Sequence, residues 1–198
     1  MDYNNMTTEE ILASWGVTKY RIQQDGTVDI QQDLDLQDKI DGLAELPVKI
    51  RSVTGGLAIF RCGSITSLGA LECVTGDLLL YACTSLTSLG SLKRVERGYL
   101  VLHGCTALAS LGALEEVGGY LDLNECTSLT DLGTLKYVED VVFLGNSTSK
   151  KLEEFQEERA IFKRNLAERP EQAPLLLASS PFAWQRALAK ESLNKEGK

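Results

Sequence analysis

Cysteine and histidine are the side chains here best suited to nucleophilic or acid–base chemistry, and the 198-residue sequence holds five of the first and one of the second. Cys62, Cys83, Cys105 and Cys126 recur at separations of 21, 22 and 21 residues, while Cys73 stands apart. Zinc sites need ligands paired two to four residues apart, and no such pair occurs. Side chains in one slot of a repeat point the same way and stack, an arrangement unlike the opposed geometry of a disulfide. The four are therefore read as a ladder of buried thiols from a reducing cytoplasm. His103 falls at an outward strand position with no nucleophile placed beside it, and a general base needs an oriented partner. Cys73 occupies a slot held elsewhere by Arg94, Glu116 and Tyr137, and has no neighbouring base to activate it. The glycines never form a phosphate loop ending in GK[ST]. The expectation is a chain without catalytic residues, metal or cofactor.

Carboxylates are the other chemistry on offer. The formal charge is −8 with a pI near 4.8, which argues against direct nucleic-acid binding or docking on anionic lipid. Residues 1–50 carry 10 acids against 4 bases, residues 51–146 carry 10 against 6, and residues 147–198 carry 8 against 10. Asp29, Asp33, Asp35, Asp38 and Asp41 crowd the acidic end. One use for such a row is to mimic the phosphates of a nucleic acid and occupy the site of a host enzyme that acts on it.

These residues are positioned by a sentence of about twenty letters, written four times between Thr54 and Val138 and begun a fifth. The copies read GGLAIFRCGSITSLGALECV, TGDLLLYACTSLTSLGSLKRV, RGYLVLHGCTALASLGALEEV and GGYLDLNECTSLTDLGTLKYV. Leu57/Ile59, Leu78/Leu80, Leu100/Leu102 and Leu121/Leu123 alternate with variable residues, the mark of a strand with one buried face. Val142 and Leu144 continue the pairs. A second extended side carries Leu71, Leu92, Leu114 and Leu135 with Val74, Val95, Val117 and Val138. Between the sides lie Gly69, Gly90, Gly112 and Gly133, whose recurrence at a corner implies a positive φ or a close approach between turns. No copy holds a helix-length amphipathic stretch, so each turn must be strands and corners, buried only by stacking on its neighbours. The third copy has one residue more than the second, and a bulge at Glu96-Arg97-Gly98 is expected.

The flanks follow different rules. Thr7 to Val17 predicts a short helix: Thr7 or Thr8 as cap, Glu9 and Glu10 in the first turn, Ile11, Leu12 and Trp15 as an apolar stripe, and Gly16 as the stop. Asp25-Gly26 between Tyr20–Ile22 and Val28–Ile30 predicts a hairpin. The alternation in DLDLQ makes Leu34 and Leu36 the start of the solenoid. Beyond residue 146, Leu152, Phe155, Phe162 and Leu166 share a helical face, and Ser180-Pro181 opens a last helix with Phe182, Trp184, Leu188 and Leu193. That helix would pack on its own solenoid or join two copies as a homodimer. The predicted division is 1–32 as an N-terminal helix and hairpin cap, 33–146 as solenoid, and 147–198 as a C-terminal helical cap or extension. The start, MDYNNMTTEEILASWG, lacks the charged and apolar regions of a signal peptide, and no apolar run reaches bilayer length.

The LxLxxCxxL core resembles leucine-rich repeats with cysteine in the slot that often holds asparagine, and V-x-G-G-x-L-x-L is similar to the junction of receptor L-domain-type solenoids. DGTVDIQQDLDLQ followed by LAELPVKIRSVTGGL resembles the lead-in of leucine-rich proteins of phage and prophage genomes. The likeness covers roughly residues 25–146. It implies a mainly β α/β-repeat fold, a leucine-rich-repeat solenoid of about six short parallel rungs with helical caps at both ends, and a protein that binds rather than catalyses.

Alternation then selects the binding surface. Outward strand positions stack Phe60, Leu79, Tyr81, Tyr99, Val101, His103 and Tyr120 into one apolar and aromatic patch, the composition of a protein-binding hot spot. The competing explanation is cross-strand pairing that stabilises the sheet, or cover by the C-terminal helices. The expectation is a cytoplasmic module that holds a protein partner on this face.

Overall fold

A computed structural model of the chain describes residues 3–139 and the backbone of the strand Val142–Phe143. Helix α1 (Thr8–Ser14) starts where its side chains dictate. Thr7 accepts the Glu10 N–H at 3.2 Å and the Glu10 carboxylate accepts the Thr7 N–H at 2.7 Å, a reciprocal cap that satisfies two otherwise orphaned donors. Ile11, Leu12 and Trp15 are buried, and the Trp15 indole donates to the Tyr3 hydroxyl (3.1 Å), which in turn donates to the Lys39 carbonyl (2.6 Å).

Hairpin β1 (Tyr20–Ile22) and β2 (Val28–Ile30) is antiparallel, turning at Gly26 with φ +79°. The described residues hold thirteen strands, continuing with β3 (Leu34–Asp35), β4 (Ile50–Val53), β5 (Leu57–Phe60), β6 (Cys73–Val74), β7 (Leu78–Tyr81), β8 (Arg94–Val95), β9 (Leu100–Val101), β10 (Glu116–Val117), β11 (Leu121–Asp122), β12 (Tyr137–Val138) and β13 (Val142–Phe143). They alternate between two sheets. One runs β1-β2-β4-β6-β8-β10-β12 and the other β3-β5-β7-β9-β11-β13, with every pair after the hairpin parallel. The result is a parallel-strand solenoid. The six strands of the second sheet enclose about five turns, and among the described residues one short helix stands at the N-terminal side. The predicted helices of residues 147–198, and any dimer contact they would make, lie outside the described residues.

The hairpin is not a separate piece: β2 hydrogen-bonds in parallel to β4, so the seven-stranded sheet runs unbroken from hairpin into repeats, within the compact unit Met1–Thr148. Between the sheets the leucine and valine rows are packed to near-zero exposure, from Leu34 and Leu57 through Leu121, and from Ile50 and Val53 through Val138. Each such side chain contributes ~1.5–3 kcal/mol of burial that an isolated turn could not supply.

Corner geometry explains the glycine period. Gly69, Gly90, Gly112 and Gly133 have φ between +57° and +64°. At Gly90 and Gly133 a Cβ would also stand 2.3 Å and 2.1 Å from the carbonyl oxygen of the glycine one turn earlier, whereas at Gly69 and Gly112 nothing lies within 4 Å. The opposite corner also uses left-handed backbone, but there Asp38, Arg61, Ala82 and Glu125 adopt it alongside Gly104. The extra residue of the third copy is absorbed between β8 and β9, since the registers Val74↔Val95 and Leu78↔Leu100 are both kept. Gly98 makes room there, in a position where a Cβ would meet the Gly76 backbone at 2.3 Å.

Candidate functional site

The outer face of the six-stranded sheet consists of three rows fixed by register. Leu57↔Leu78↔Leu100↔Leu121 are aligned, so the residues before them form one row, the residues after them a second, and those two further on a third. The first row holds Asp33, Gly56, Asp77, Tyr99 and Tyr120; the second Asp35, Ala58, Leu79, Val101 and Asp122; the third Gln37, Phe60, Tyr81, His103 and Asn124. All seven residues of the expected patch therefore share one face.

Within it the aromatics stack in two pairs. The Tyr99 and Tyr120 rings lie 4.0 Å apart at 19°, and those of Tyr81 and His103 lie 4.7 Å apart at 3°. Stacking between adjacent strands stabilises a sheet, as the cross-strand explanation requires, yet it leaves Tyr81 and Tyr99 at 40% and 42% exposure. With Ile22 these are the most exposed large apolar side chains among the described residues. Phe60, Leu79, Val101 and Tyr120 are half-buried between them. Burial, with the charges of Asp122, Tyr99 and Asp77 behind it, holds the Tyr120 phenol above its ordinary pKa.

The three rows also hold four aspartates in two roles. Asp33 and Asp77, in the first row, each reach one turn ahead to accept a backbone N–H, from Gly56 at 2.8 Å and Tyr99 at 2.9 Å. Asp35 and Asp122, in the second row, accept the N–H two residues on, from Gln37 and Asn124, both at 2.9 Å. Alternation marks Asp77 and Asp122 as outward, but an apolar criterion for a binding patch passes over them. Because Gly56 has no side chain between Asp33 and Asp77, the face sinks there into a cleft of about 450 Å³ floored by Ala58 and Leu79, with Arg97 on its rim. A second opening of about 510 Å³ lies by Phe60, Arg61 and Tyr81.

His103 sits with Nδ1 3.9 Å from Asp122 and Nε2 3.7 Å from Glu125, distances beyond hydrogen-bond length. The acidic row is not brought together as one surface. Asp29 belongs to the other sheet, where a register shift sets both Arg51 and Ser52 against it: Arg51 Nε donates at 2.9 Å, the Ser52 hydroxyl at 2.7 Å and Gln23 Nε2 at 2.5 Å. The Arg51 guanidinium beside it lowers the Asp29 pKa to about 2. Asp38 takes the left-handed corner and Asp41 is exposed beyond it.

The thiols are partnered by backbone. Cys62, Cys83, Cys105 and Cys126 are free and buried, and each donates to a backbone carbonyl of the preceding turn: Ile40 at 3.7 Å, Ile59 at 3.4 Å, Leu80 at 3.1 Å and Leu102 at 3.0 Å. The neighbouring Cys83 thiol and burial push the Cys105 pKa up, and burial pushes that of Cys126 up to about 12. Half-buried Cys73 contacts Glu96 at 3.3 Å, and burial followed by that carboxylate raises it to about 11, far from a reactive thiolate. Among the described residues no group of three or more metal-ligating side chains could hold a metal, and no helix is long and apolar enough to cross a membrane. No protein-family model matches this sequence, and neither a curated protein nor a solved structure matches it.

Proposed function

We propose that this chain is a non-enzymatic protein-binding module whose partner lies on the outer face of the six-stranded sheet. The observation that carries this reading is the pair of aromatic stacks that leaves Tyr81 and Tyr99 open to solvent. Aromatic anchors immobilised before binding lose little entropy on contact, which is how a few residues come to dominate an interface. The leucine rows and the cysteine slot support assignment to the leucine-rich-repeat type, and the lead-in DGTVDIQQDLDLQ supports a phage or prophage origin. Free, buried thiols suit a reducing cytoplasm. On this reading α1 and the hairpin close the N-terminal end of the stack.

An acidic inhibitor of a nucleic-acid-acting enzyme is the second reading. It draws on Asp33 and Asp35, which stay exposed, but Asp29 is already neutralised by Arg51 on the other sheet.

The test is capture of a partner on immobilised protein, with wild type compared against Tyr81→Ala/Tyr99→Ala. The double substitution should abolish retention while the chain stays folded, its unfolding free energy in urea lowered by about 1–3 kcal/mol through loss of the two stacks. Equal retention by the two proteins rules out the strand face.

A further inference from the structure

The two sheets treat charge differently. On the seven-stranded sheet, successive turns pair acid with base: Arg51 with Asp29, Lys93 with Glu72 at 3.7 Å, and Lys136 with Glu115 at 3.0 Å. On the three outward rows of the six-stranded sheet the charged residues are Asp33, Asp35, Asp77 and Asp122, and no lysine or arginine stands among them. The Lys39 ammonium donates to the Asp35 carbonyl, and Arg97 stands on the rim of the cleft.

The geometry sharpens this imbalance. Asp33 and Asp77 flank the side-chain gap at Gly56, both lining the cleft, and each is pinned by its bond to a backbone N–H one turn ahead. The remaining oxygen of each accepts no hydrogen bond from the described residues. Below them the floor is apolar, made by Ala58 and Leu79, and the cleft's 450 Å³ lies at the small end of ligand pockets. Fixed carboxylates over an apolar floor suit a long side chain that is aliphatic along its stem and cationic at its tip.

We propose that the partner docks through a basic segment, with an arginine or lysine side chain seated in the cleft between Asp33 and Asp77 and its stem along Ala58 and Leu79. This rests on the reading of the strand face as the binding surface, and adds the partner's chemistry to it. Nucleic acid and anionic lipid are repelled by the same carboxylates, and an acidic partner segment is excluded.

The test is a titration of the full ¹⁵N-labelled chain with the peptide acetyl-Gly-Arg-Gly-Arg-Gly-amide and with its glutamine counterpart, read by amide shifts. The arginine peptide should move the amides of Gly56, Ala58, Asp77 and Tyr99, and the glutamine peptide should not. Asp33→Asn with Asp77→Asn keeps an oxygen for each backbone N–H and removes only charge, so the fold survives, as the spectrum itself shows. It should weaken the arginine peptide at least about ten-fold, and raising salt to ~0.5 M should weaken it similarly in wild type. Unmoved cleft amides, equal response to both peptides, or full binding by the Asn variant overturns the proposal. If that happens while capture still depends on Tyr81 and Tyr99, the basic-segment proposal falls alone. If capture ignores the tyrosines, the binding-face reading falls, and the assignment of the cleft to that partner falls with it.

Discussion

A thiol is a weak hydrogen-bond donor, yet Cys105 is buried at 0% exposure with the Leu80 carbonyl, 3.1 Å away on the preceding turn, as its backbone acceptor. Cys105→Ala should destabilise the fold by about 1–3 kcal/mol, from the unsatisfied carbonyl and the small void, measurable as a lowered urea midpoint. The recurrence of cysteine every 21 or 22 residues makes the ladder legible in the sequence. Its acceptor is not, because the carbonyl lies 25 residues back along the chain and meets the thiol only when turns stack. Asp29 shows the same limit. By composition it belongs with Asp33 and Asp35, but the bulge between β2 and β4 brings Arg51 and Ser52 onto it. Its folded pKa of about 2 lies below the ordinary 3.8, so its contribution is complete above about pH 4 and is lost as pH falls toward 2. Asp29→Asn should cost about 1–2 kcal/mol at neutral pH and remove that part of the acid-induced loss, checked by urea unfolding across this range.

At the scale of turns and strands, corner glycines separate two causes that the sequence leaves merged. Gly69→Ala meets only the left-handed backbone and should cost about 1–2 kcal/mol. Gly90→Ala adds a Cβ 2.3 Å from the Gly69 carbonyl and should cost clearly more, about 3 kcal/mol or above, since backbone on both sides must move. Equal losses in paired thermal melts would mean that backbone conformation alone explains the period. The strands are well read from alternation: Leu78 and Leu80 are buried while Leu79 and Tyr81 are not. Pairing is less legible. Nothing in Val28–Ile30 reveals that it continues a parallel sheet with Ile50–Val53, because the intervening Asp38–Lys49 lacks the repeat grammar. The left-handed residues Arg61 and Ala82 are equally silent, as neither type advertises a positive φ.

For the molecule as a whole, the repeat makes the architecture readable and the variable letters make the face readable. What could not be read is the charge balance of each sheet, which depends on register across turns: Lys93 neutralises Glu72 only because the two stand one turn apart. Register carries a further consequence for how the chain reaches its native state. From β3 to β13 the aligned residues Leu34, Leu57, Leu78, Leu100, Leu121 and Val142 are separated by 23, 21, 22, 21 and 21 residues. Turns of equal length and near-identical core letters are interchangeable, so a folding chain could dock one turn out of step and bury almost the same leucines. The residue inserted at Glu96-Arg97-Gly98 breaks that translational symmetry, as an uneven notch on a ruler does: a stack slipped by one turn has its long loop opposite the wrong corner. Deleting Arg97 restores 21 residues and should turn a single refolding phase into several by stopped-flow fluorescence, with little change in final content. With the 23-residue spacing of the first turn, this added residue gives a folding chain two marks against which its turns are set in register.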